Sequence, residues 1–218
     1  GEIKEFTVKE EVIEDAVKAV NFLKNRNEID SSKIYVLGHS LGGYLAPRIG
    51  RVEKDIKGLI IMAGSNRPLP KMILDQYQYI FSLDNEINEK EKQQLETIKQ
   101  QVKKINSLKP GAEGNYLNCP VSYWLDLKEY KPLKSAKNFK RRMFFLQGKR
   151  DYQVTESDFN NWKQILAERK NVKFKLYPHL NHLFIEGKGK ITPSEYTQQK
   201  GFVAAEVIND IVNWIKND

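Results

Sequence analysis

The chain has 218 residues, of which 40% are hydrophobic and 29% charged, and its net charge is +8. This length and composition predict one globular domain, and no apolar stretch is long enough for a transmembrane helix. Charged residues interrupt the first fifteen positions, so we expect no secretory signal there. Cys119 is the single cysteine, so the composition excludes an internal disulfide.

Several classes of partner are also excluded by the motifs that the sequence lacks. No His/Cys cluster has zinc spacing, and no nucleic-acid-binding motif accompanies the positive charge. We therefore predict no metal, no cofactor and no nucleic-acid partner. The compartment stays open, with the cytoplasm as the default and an extracellular location if the full-length protein carries a signal peptide.

The first predicted element is a helix that ends near Asn25. Thr7 and Glu10 have the spacing of a capping box. Apolar residues then recur at helical spacing and form one stripe, which consists of Val12, Ile13, Ala16, Val17, Val20 and Leu23.

A strand, a tight turn and a helix are predicted next. An apolar run at residues 33–37 leads into Gly-His-Ser-Leu-Gly-Gly, and a helix-compatible segment follows at residues 44–51. This order is the context in which Gly-x-Ser-x-Gly indicates a nucleophile elbow rather than an ordinary turn. We expect Gly38 and Gly42 to be required because a Cβ atom at either position would clash in the turn. Ser40 would then lie at the N-terminus of the following helix, where negative charge is favoured.

An insert is predicted after the next strand, which we place at residues 56–63 as a strand covered on both faces. No strand of the main sheet is evident in residues 66–135, and we interpret this segment as a cap or lid. A long charged helix is predicted at residues 84–108, followed by a loop at residues 111–118. The helix has a narrow apolar stripe formed by Leu95, Ile98, Val102 and Ile105. It is either a solvated surface helix or a helix that gates access.

The insert also contains aromatic residues that could bind a substrate. Tyr123 and Trp124 lie in an aromatic segment at residues 120–127 and are our candidates, together with His39 inside the predicted turn. The aromatics have an alternative role in a hydrophobic core. His39 is expected to point away from Ser40 and to pack or hydrogen-bond nearby.

The C-terminal part is predicted to alternate strands and helices. Strands are expected at residues 142–147 and 172–177, with helices at residues 155–170 and 194–216. The last helix is expected to present one apolar face, made of Val207, Ile208, Ile211, Val212 and Ile215. The chain would thus contribute about four parallel strands.

Two polar residues follow these last strands in loops. Asp151 comes after the strand at residues 142–147, and His182 comes after the strand at residues 172–177. With Ser40 they follow the order nucleophile, acid, base that α/β-hydrolases use. His179 competes with His182 for the role of base, and Asp158 is a second, less favoured acid.

The segments around these three residues resemble the triad loops of α/β-hydrolases in the dienelactone-hydrolase and prolyl-oligopeptidase-like branch. The resemblance extends from about Val8 to the end, except for the insert. It implies the C-terminal portion of an α/β-hydrolase fold, with a mostly parallel sheet, helices on both faces and a helical cap. It also implies that Ser40 is the nucleophile, His182 the base and Asp151 its partner, and that the Leu41 backbone N–H donates to an oxyanion.

The resemblance further predicts that residues 1–218 are a single, N-terminally truncated domain, because the family has about twice as many strands. We expect ester hydrolysis through an acyl-enzyme on Ser40. The alternatives are an acyl-peptide or peptide hydrolase and a truncated module without catalysis. One sheet edge would be exposed unless a missing N-terminal segment or a second copy covers it. The second oxyanion donor would be missing as well, so we expect the chain alone to be a weakened catalyst.

Overall fold

The computed structural model describes residues 5–198 and 201–217. The chain divides into two compact units, residues 16–66 with 132–218 and residues 1–15 with 67–131. In chain order the described helices and strands are α1 (Glu14–Lys24), β1 (Tyr35–His39), α2 (Leu41–Val52), β2 (Gly58–Met62), α3 (Leu69–Phe81), α4 (Glu89–Ser107), β3 (Asn115–Tyr116), β4 (Cys119–Pro120), α5 (Val121–Glu129), α6 (Pro132–Asn138), β5 (Arg142–Gly148), α7 (Glu156–Leu166), β6 (Val172–Tyr177), α8 (Glu195–Gln198) and α9 (Ala205–Lys216).

The larger unit is built on one parallel sheet with the strand order β1-β2-β5-β6. All four predicted strands are confirmed, although β1 and β2 each begin two residues later than expected. Before β1, a 3₁₀ turn occupies Ser31–Lys33. Each residue of β2 is buried, as expected for a strand covered on both faces.

Two hydrophobic layers enclose the sheet. Leu59 and Ile61 of β2 point into a cluster that also contains side chains of α1, α2, α6 and α7. Ile60 and Met62 point to the opposite face, where Val207 and Trp214 of α9 pack. The alternation along β2 thus places helices on both faces, and the carboxyl ends of the strands stay available for loops.

The helix boundaries differ from the predictions at the C-terminus. The prediction of a single helix at residues 194–216 is wrong. The structure contains α8 and α9, with an extended segment at residues 201–204 between them. The Ala204 N–H donates to the Phe184 carbonyl at 2.9 Å, a bond that a continuous helix would not leave available. Residues 199 and 200 lie outside the described part of the chain.

The apolar face predicted for the last helix is also partly wrong. Ile208 and Val212 are exposed, at 52% and 38%. Val207 and Trp214 are buried instead, with Ile211 and Ile215 packed against the same cluster. These four positions have the i, i+4, i+7, i+8 spacing of a helix face, which the two exposed residues do not share.

The predicted first helix is confirmed, and its start is a π-helical turn at Lys9–Ile13 that continues into α1. The Thr7 N–H donates to the Glu10 carboxylate at 2.8 Å, and the Lys9 N–H donates to the Thr7 hydroxyl at 3.0 Å. The side chains of Thr7 and Glu10 therefore satisfy N–H groups at the start of the helix, as their spacing predicted.

The smaller unit contains α3, α4, α5 and a short hairpin. The predicted helix at residues 84–108 begins five residues late, because Asn88 and Glu91 form a capping box that opens α4 at Glu89. Its apolar stripe is confirmed, with Leu95, Ile98, Val102 and Ile105 buried. The sequence did not predict α3.

The segment at residues 111–118, expected as a loop, includes strand β3 of the hairpin. Leu117 and Asn118 connect β3 to β4, and their φ angles are 47° and 63°. Positive φ at both central residues is the geometry of a two-residue type I′ turn, which matches the twist of the paired strands.

Candidate active site

The turn between β1 and α2 holds Ser40 in a sparsely populated backbone conformation, with φ 55° and ψ −115°. Two backbone hydrogen bonds hold it there: the Ser40 N–H donates to the Met62 carbonyl at 3.0 Å, and the Tyr44 N–H donates to the Ser40 carbonyl at 2.9 Å. A non-glycine residue with positive φ is strained, and it keeps this conformation only where its surroundings impose it. The turn therefore projects the Ser40 side chain at the carboxyl end of β1.

The glycines of this turn contribute differently from the prediction. A Cβ atom at Gly38 would overlap the Gly42 carbonyl, so the requirement for Gly38 is confirmed. The prediction for Gly42 is wrong, because a Cβ atom there would meet nothing within 4 Å. Gly43 is the other restricted position, since its Cβ would lie 2.9 Å from the Gly64 Cα atom.

Ser40, His182 and Asp151 lie in one hydrogen-bonded line. The Ser40 Oγ atom is 3.0 Å from His182 Nε2, and His182 Nδ1 is 2.7 Å from the Asp151 Oδ2 atom. Because a carboxylate can only accept, Nδ1 carries the proton that it donates to Asp151, which leaves Nε2 of a neutral ring free to accept from Ser40. His182 and Asp151 are both buried, at 4% exposure.

The Asp151 carboxylate is fixed by donors on both oxygens. Oδ1 accepts from the N–H groups of Gln153 and Val154, at 2.8 and 2.9 Å. Oδ2 accepts from His182 and from the Gln147 side-chain amide, at 3.0 Å for the latter. Four donors leave the carboxylate one orientation, toward the histidine ring.

The loop that carries His182 is organised by its neighbour Asn181, which is 1% exposed. The Asn181 Oδ1 atom accepts from the N–H groups of Leu183 and Ile185, at 2.9 and 3.1 Å. The backbone N–H of Asn181 donates to the Ile185 carbonyl at 3.0 Å. Asn181 therefore closes the loop into a tight turn with His182 at its tip.

His39 lies beside His182, with ring centroids 4.8 Å apart. Its Nε2 atom is 2.8 Å from the His182 backbone carbonyl, which can only accept, so Nε2 must carry a proton. Burial lowers the pKa of His39, which favours the neutral ring at neutral pH. The side chain hydrogen-bonds nearby, as expected, and its role as a substrate-binding residue stays a prediction.

The structure places the remaining candidates as follows. Leu41 is the first residue of α2, and the first N–H groups of a helix have no intrahelical acceptor. His179 is exposed, whereas His182 contacts Ser40. The Asp158 carboxylate is buried and accepts from the Ser65 hydroxyl at 2.8 Å, whereas His182 contacts Asp151.

Tyr123 and Trp124 lie in the interior of the smaller unit, at 3% and 2% exposure. Tyr123 contacts the Phe6 ring at 5.5 Å, and the Trp124 indole N–H donates to the Tyr116 carbonyl at 2.8 Å. These contacts are those of core aromatics, so each side chain offers little surface to a substrate. Substrate binding by the two residues stays a prediction.

Sequence reasoning assigned no role to four residues that contact Asp151 or lie beside Asp151 and His182 through hydrogen bonds to one another: Gln147, Arg150, Asn181 and Glu195. Gln147 carried a signal, because it is a polar residue at the end of an apolar run. A buried polar side chain needs hydrogen-bond partners, and Gln147 is 2% exposed in the structure. Arg150 and Glu195 carried none, since they meet across 45 positions, and Asn181 contacts Glu195 across 14.

The described ranges, 5–198 and 201–217, contain no group of three His, Cys, Asp or Glu side chains that could hold a metal ion. Within the same ranges, no helix is both long and apolar enough to cross a bilayer.

Comparison with known proteins extends these observations. Residues 3–64 match the model of the prolyl oligopeptidase family. The chain is 40% identical over 209 residues to Esterase EstD of Thermotoga maritima. The aligned region covers 96% of this chain and 48% of the esterase. The chain thus spans about half the length of this curated relative.

Solved structures show the fold. The superposition with the α/β-hydrolase GrgF from Penicillium covers the whole of this chain and 74% of GrgF. Its TM-score is 0.60 at 14% identity. A monoacylglycerol lipase from Paleococcus ferrophilus covers 99% of this chain and 77% of its own, with a TM-score of 0.54 at 16% identity. The chain has the α/β-hydrolase fold, and the resemblance that the sequence indicated is confirmed.

Proposed function

We propose that the chain is a serine hydrolase that cleaves carboxylic esters. The observation that supports this most strongly is the line Ser40–His182–Asp151, with the serine on a strained turn and the histidine within 3.0 Å of its hydroxyl. A serine hydroxyl is a weak nucleophile until a base removes its proton, and this arrangement supplies that base. The similarity to Esterase EstD favours esters as the substrate class.

The proposed reaction has two halves. Ser40 Oγ attacks the ester carbonyl while His182 Nε2 takes the hydroxyl proton, and Asp151 stabilises the imidazolium through Nδ1. The Leu41 N–H donates to the oxyanion that develops on the carbonyl oxygen. His182 then returns the proton to the leaving alkoxide, which departs as an alcohol and leaves an acyl group on Ser40.

The second half regenerates the enzyme. Water gives a proton to His182 Nε2 and attacks the acyl carbon, and the oxyanion again accepts from the Leu41 N–H. The intermediate collapses, the Ser40 oxygen leaves and takes the proton back, and a carboxylic acid is released. Each proton that leaves an attacking oxygen thus returns to a leaving oxygen through the same imidazole nitrogen.

Hydrolysis of p-nitrophenyl esters of increasing acyl length tests this proposal, with Ser40→Ala as the matched variant. We expect turnover by the unmodified chain and a rate at the background level for Ser40→Ala, because the acyl-enzyme cannot form. Equal rates for the two proteins would contradict the proposal.

A peptide or acyl-peptide substrate is the second candidate. The match of residues 3–64 to the prolyl oligopeptidase family favours it. An amine is a poorer leaving group than an alcohol and depends more on protonation by His182. Measuring kcat/KM for an acylated amino-acid p-nitroanilide beside the corresponding p-nitrophenyl ester would decide between the two substrate classes.

We further propose that a partner covers the outer edge of β1. Among the described strands, β1 pairs with β2 alone, and Leu37 at its centre is 50% exposed. A free, apolar strand edge favours pairing with another chain. Sedimentation analysis should detect a dimer or larger species, and a monomer across the micromolar range would exclude a second copy as that partner.

A further inference from the structure

Two charged side chains that precede or contact the triad loops are mostly shielded from solvent and take no part in the proposed chemistry. Arg150 and Glu195 have side-chain exposures of 8% and 11%. Their contact is bidentate, with Nη1 to Oε1 at 2.8 Å and Nη2 to Oε2 at 2.7 Å. Removing two charges from water is costly, and well-packed apolar residues often stabilise a fold equally well. Stability alone is therefore a weak reason for this pair.

The Glu195 carboxylate contacts two of the three triad loops. Oε1 accepts a second hydrogen bond from the Asn181 side-chain amide at 3.1 Å. Arg150 directly precedes Asp151, and Asn181 directly precedes His182. One carboxylate from α8 thus links the residue before the acid to the residue before the base.

The two residues that Glu195 contacts each make further hydrogen bonds. Arg150 also donates to the carbonyls of Lys188 and Gly189, at 3.0 and 3.1 Å, and its backbone N–H donates to the Leu180 carbonyl at 3.0 Å. Asn181 holds the His182 turn through its Oδ1 atom, as described above. A displacement of Glu195 would therefore reach both loops through these bonds.

We propose that Glu195 is a positioning residue that sets the distance between Asp151 and His182. It touches none of the reacting atoms and acts through Arg150 and Asn181. Its effect is on the 2.7 Å contact between His182 Nδ1 and Asp151 Oδ2, and through the ring on the 3.0 Å contact to Ser40. As a statement about catalysis, this inference rests on the proposed function.

The test compares Glu195→Ala and Glu195→Gln with Glu53→Ala in the full chain. Glu53 is a matched control, because it is also a buried glutamate and lies 3.9 Å from Lys24 in an ion pair. Glu53 caps the C-terminal end of α2, whereas Ser40 lies at the N-terminal end of the same helix. Each variant is measured at a temperature where its circular dichroism shows it folded.

The first readout is the split between kcat and KM on a p-nitrophenyl ester. Glu195→Ala should lower kcat by about 10- to 100-fold, the loss expected when reacting groups shift by an ångström or less, and leave KM nearly unchanged. Glu195→Gln should retain part of the rate, because its amide oxygen can still accept from Asn181. Glu53→Ala should keep the kcat of the unmodified chain.

The second readout does not depend on hydrolysis. The His182 Nδ1 proton, in a short hydrogen bond to a carboxylate, should give a low-field proton NMR resonance that is absent from His182→Ala. Glu195→Ala should lose or broaden this resonance, while Glu53→Ala should keep it. If Glu195→Ala loses the resonance while the unmodified chain hydrolyses no ester, the positioning role is supported and the proposed function is contradicted.

Two results would overturn the inference. One is a Glu195→Ala variant that is folded and keeps both the low-field resonance and the kcat of the unmodified chain. The other is an equal loss of kcat or resonance in Glu53→Ala, which would assign the effect to general destabilisation rather than to the contact with the triad loops.

Discussion

The four donors around the Asp151 carboxylate determine where it points. Two are backbone N–H groups in its own loop, one is the His182 ring, and one is the amide of Gln147 on β5. Gln147 also donates to the Val154 carbonyl at 2.8 Å, so it fixes the acid and the loop that holds the acid together. Its side chain therefore contributes to the geometry although it lies outside the line of three residues.

Replacing Gln147 tests this contribution. Gln147→Met keeps the volume and removes the donor to Oδ2, and a hydrogen bond to a charged group contributes about 1.5–3 kcal/mol. We expect kcat on a p-nitrophenyl ester to fall by roughly 10-fold or more. Gln164→Met makes the same change at an exposed position of α7 and should leave kcat unaltered. An unaltered kcat in Gln147→Met would show that the backbone donors suffice.

The two histidines of the loop after β6 should differ sharply. His182→Ala removes a ring that contacts both Ser40 and Asp151, and we expect a loss of kcat of about 1,000-fold or more. His179→Ala changes an exposed side chain and should retain at least half of the activity. Steady-state kinetics of both variants measure this, and the reverse ranking would transfer the role of base to His179.

Among single residues, the sequence predicted those that belong to a local motif. It missed those whose position is defined by contacts with residues distant in the chain. Ser40, Asp151 and His182 follow predicted strands, and parallel strands bring the loops at their carboxyl ends together. Glu195 contacts Arg150 across 45 positions and Asn181 across 14. No periodicity or spacing in one sequence specifies such a contact, so these residues required the structure.

The elements around Ser40 depend on two glycines in different ways. Gly38→Ala should prevent the turn, because the added Cβ would overlap the Gly42 carbonyl and the main chain would have to shift. Gly42→Ala should be tolerated, since the Cβ meets nothing within 4 Å and alanine favours the helix that Gly42 occupies. Thermal unfolding of both variants measures the difference. A lower melting temperature for Gly42→Ala than for Gly38→Ala would contradict the described turn.

The attachment of α8 should depend on pH. The hydrogen bond from Arg150 is the main cause that lowers the pKa of Glu195 below its usual value of 4.5. A carboxyl with a lowered folded-state pKa contributes stability that is fully present above the unfolded pKa and is lost as the pH falls through the folded one. The difference in urea stability between the unmodified chain and Glu195→Gln should therefore shrink as the pH falls below about 4.5.

The control for this prediction is Glu53→Gln, measured in the same way. Glu53 touches neither Arg150 nor Asn181 in any described contact, so this variant shows what the same Glu-to-Gln change does outside the Arg150–Glu195 contact. A difference for Glu195→Gln that stays constant from pH 7 to pH 3 would contradict a lowered pKa at that position.

Element boundaries were predicted well where a cap or an apolar run defines them. β6 matches the predicted residues 172–177, and the capping box at Asn88 shows why α4 starts later than its charge pattern suggested. The split between α8 and α9 was missed. It depends on a hydrogen bond from Ala204 to Phe184, two residues whose types carry no signal for a helix end.

For the whole molecule, the fold follows from the order of strands. The described residues supply four parallel strands with helices on both faces, and the chain spans about half the length of the curated relative it matches. We propose that the chain is catalytically active. This activity requires Ser40, His182 and Asp151 to act together in solution.

Labelling with a fluorophosphonate measures this most directly, because the reagent reacts with a serine only when a base has activated it. Intact-mass spectrometry of the folded full chain should show one adduct, on Ser40, and none in Ser40→Ala. The adduct should form far more slowly in His182→Ala. A folded chain that takes up no label, or a Ser40→Ala variant that takes up the same label, would contradict the proposal that these three residues form a working hydrolase site.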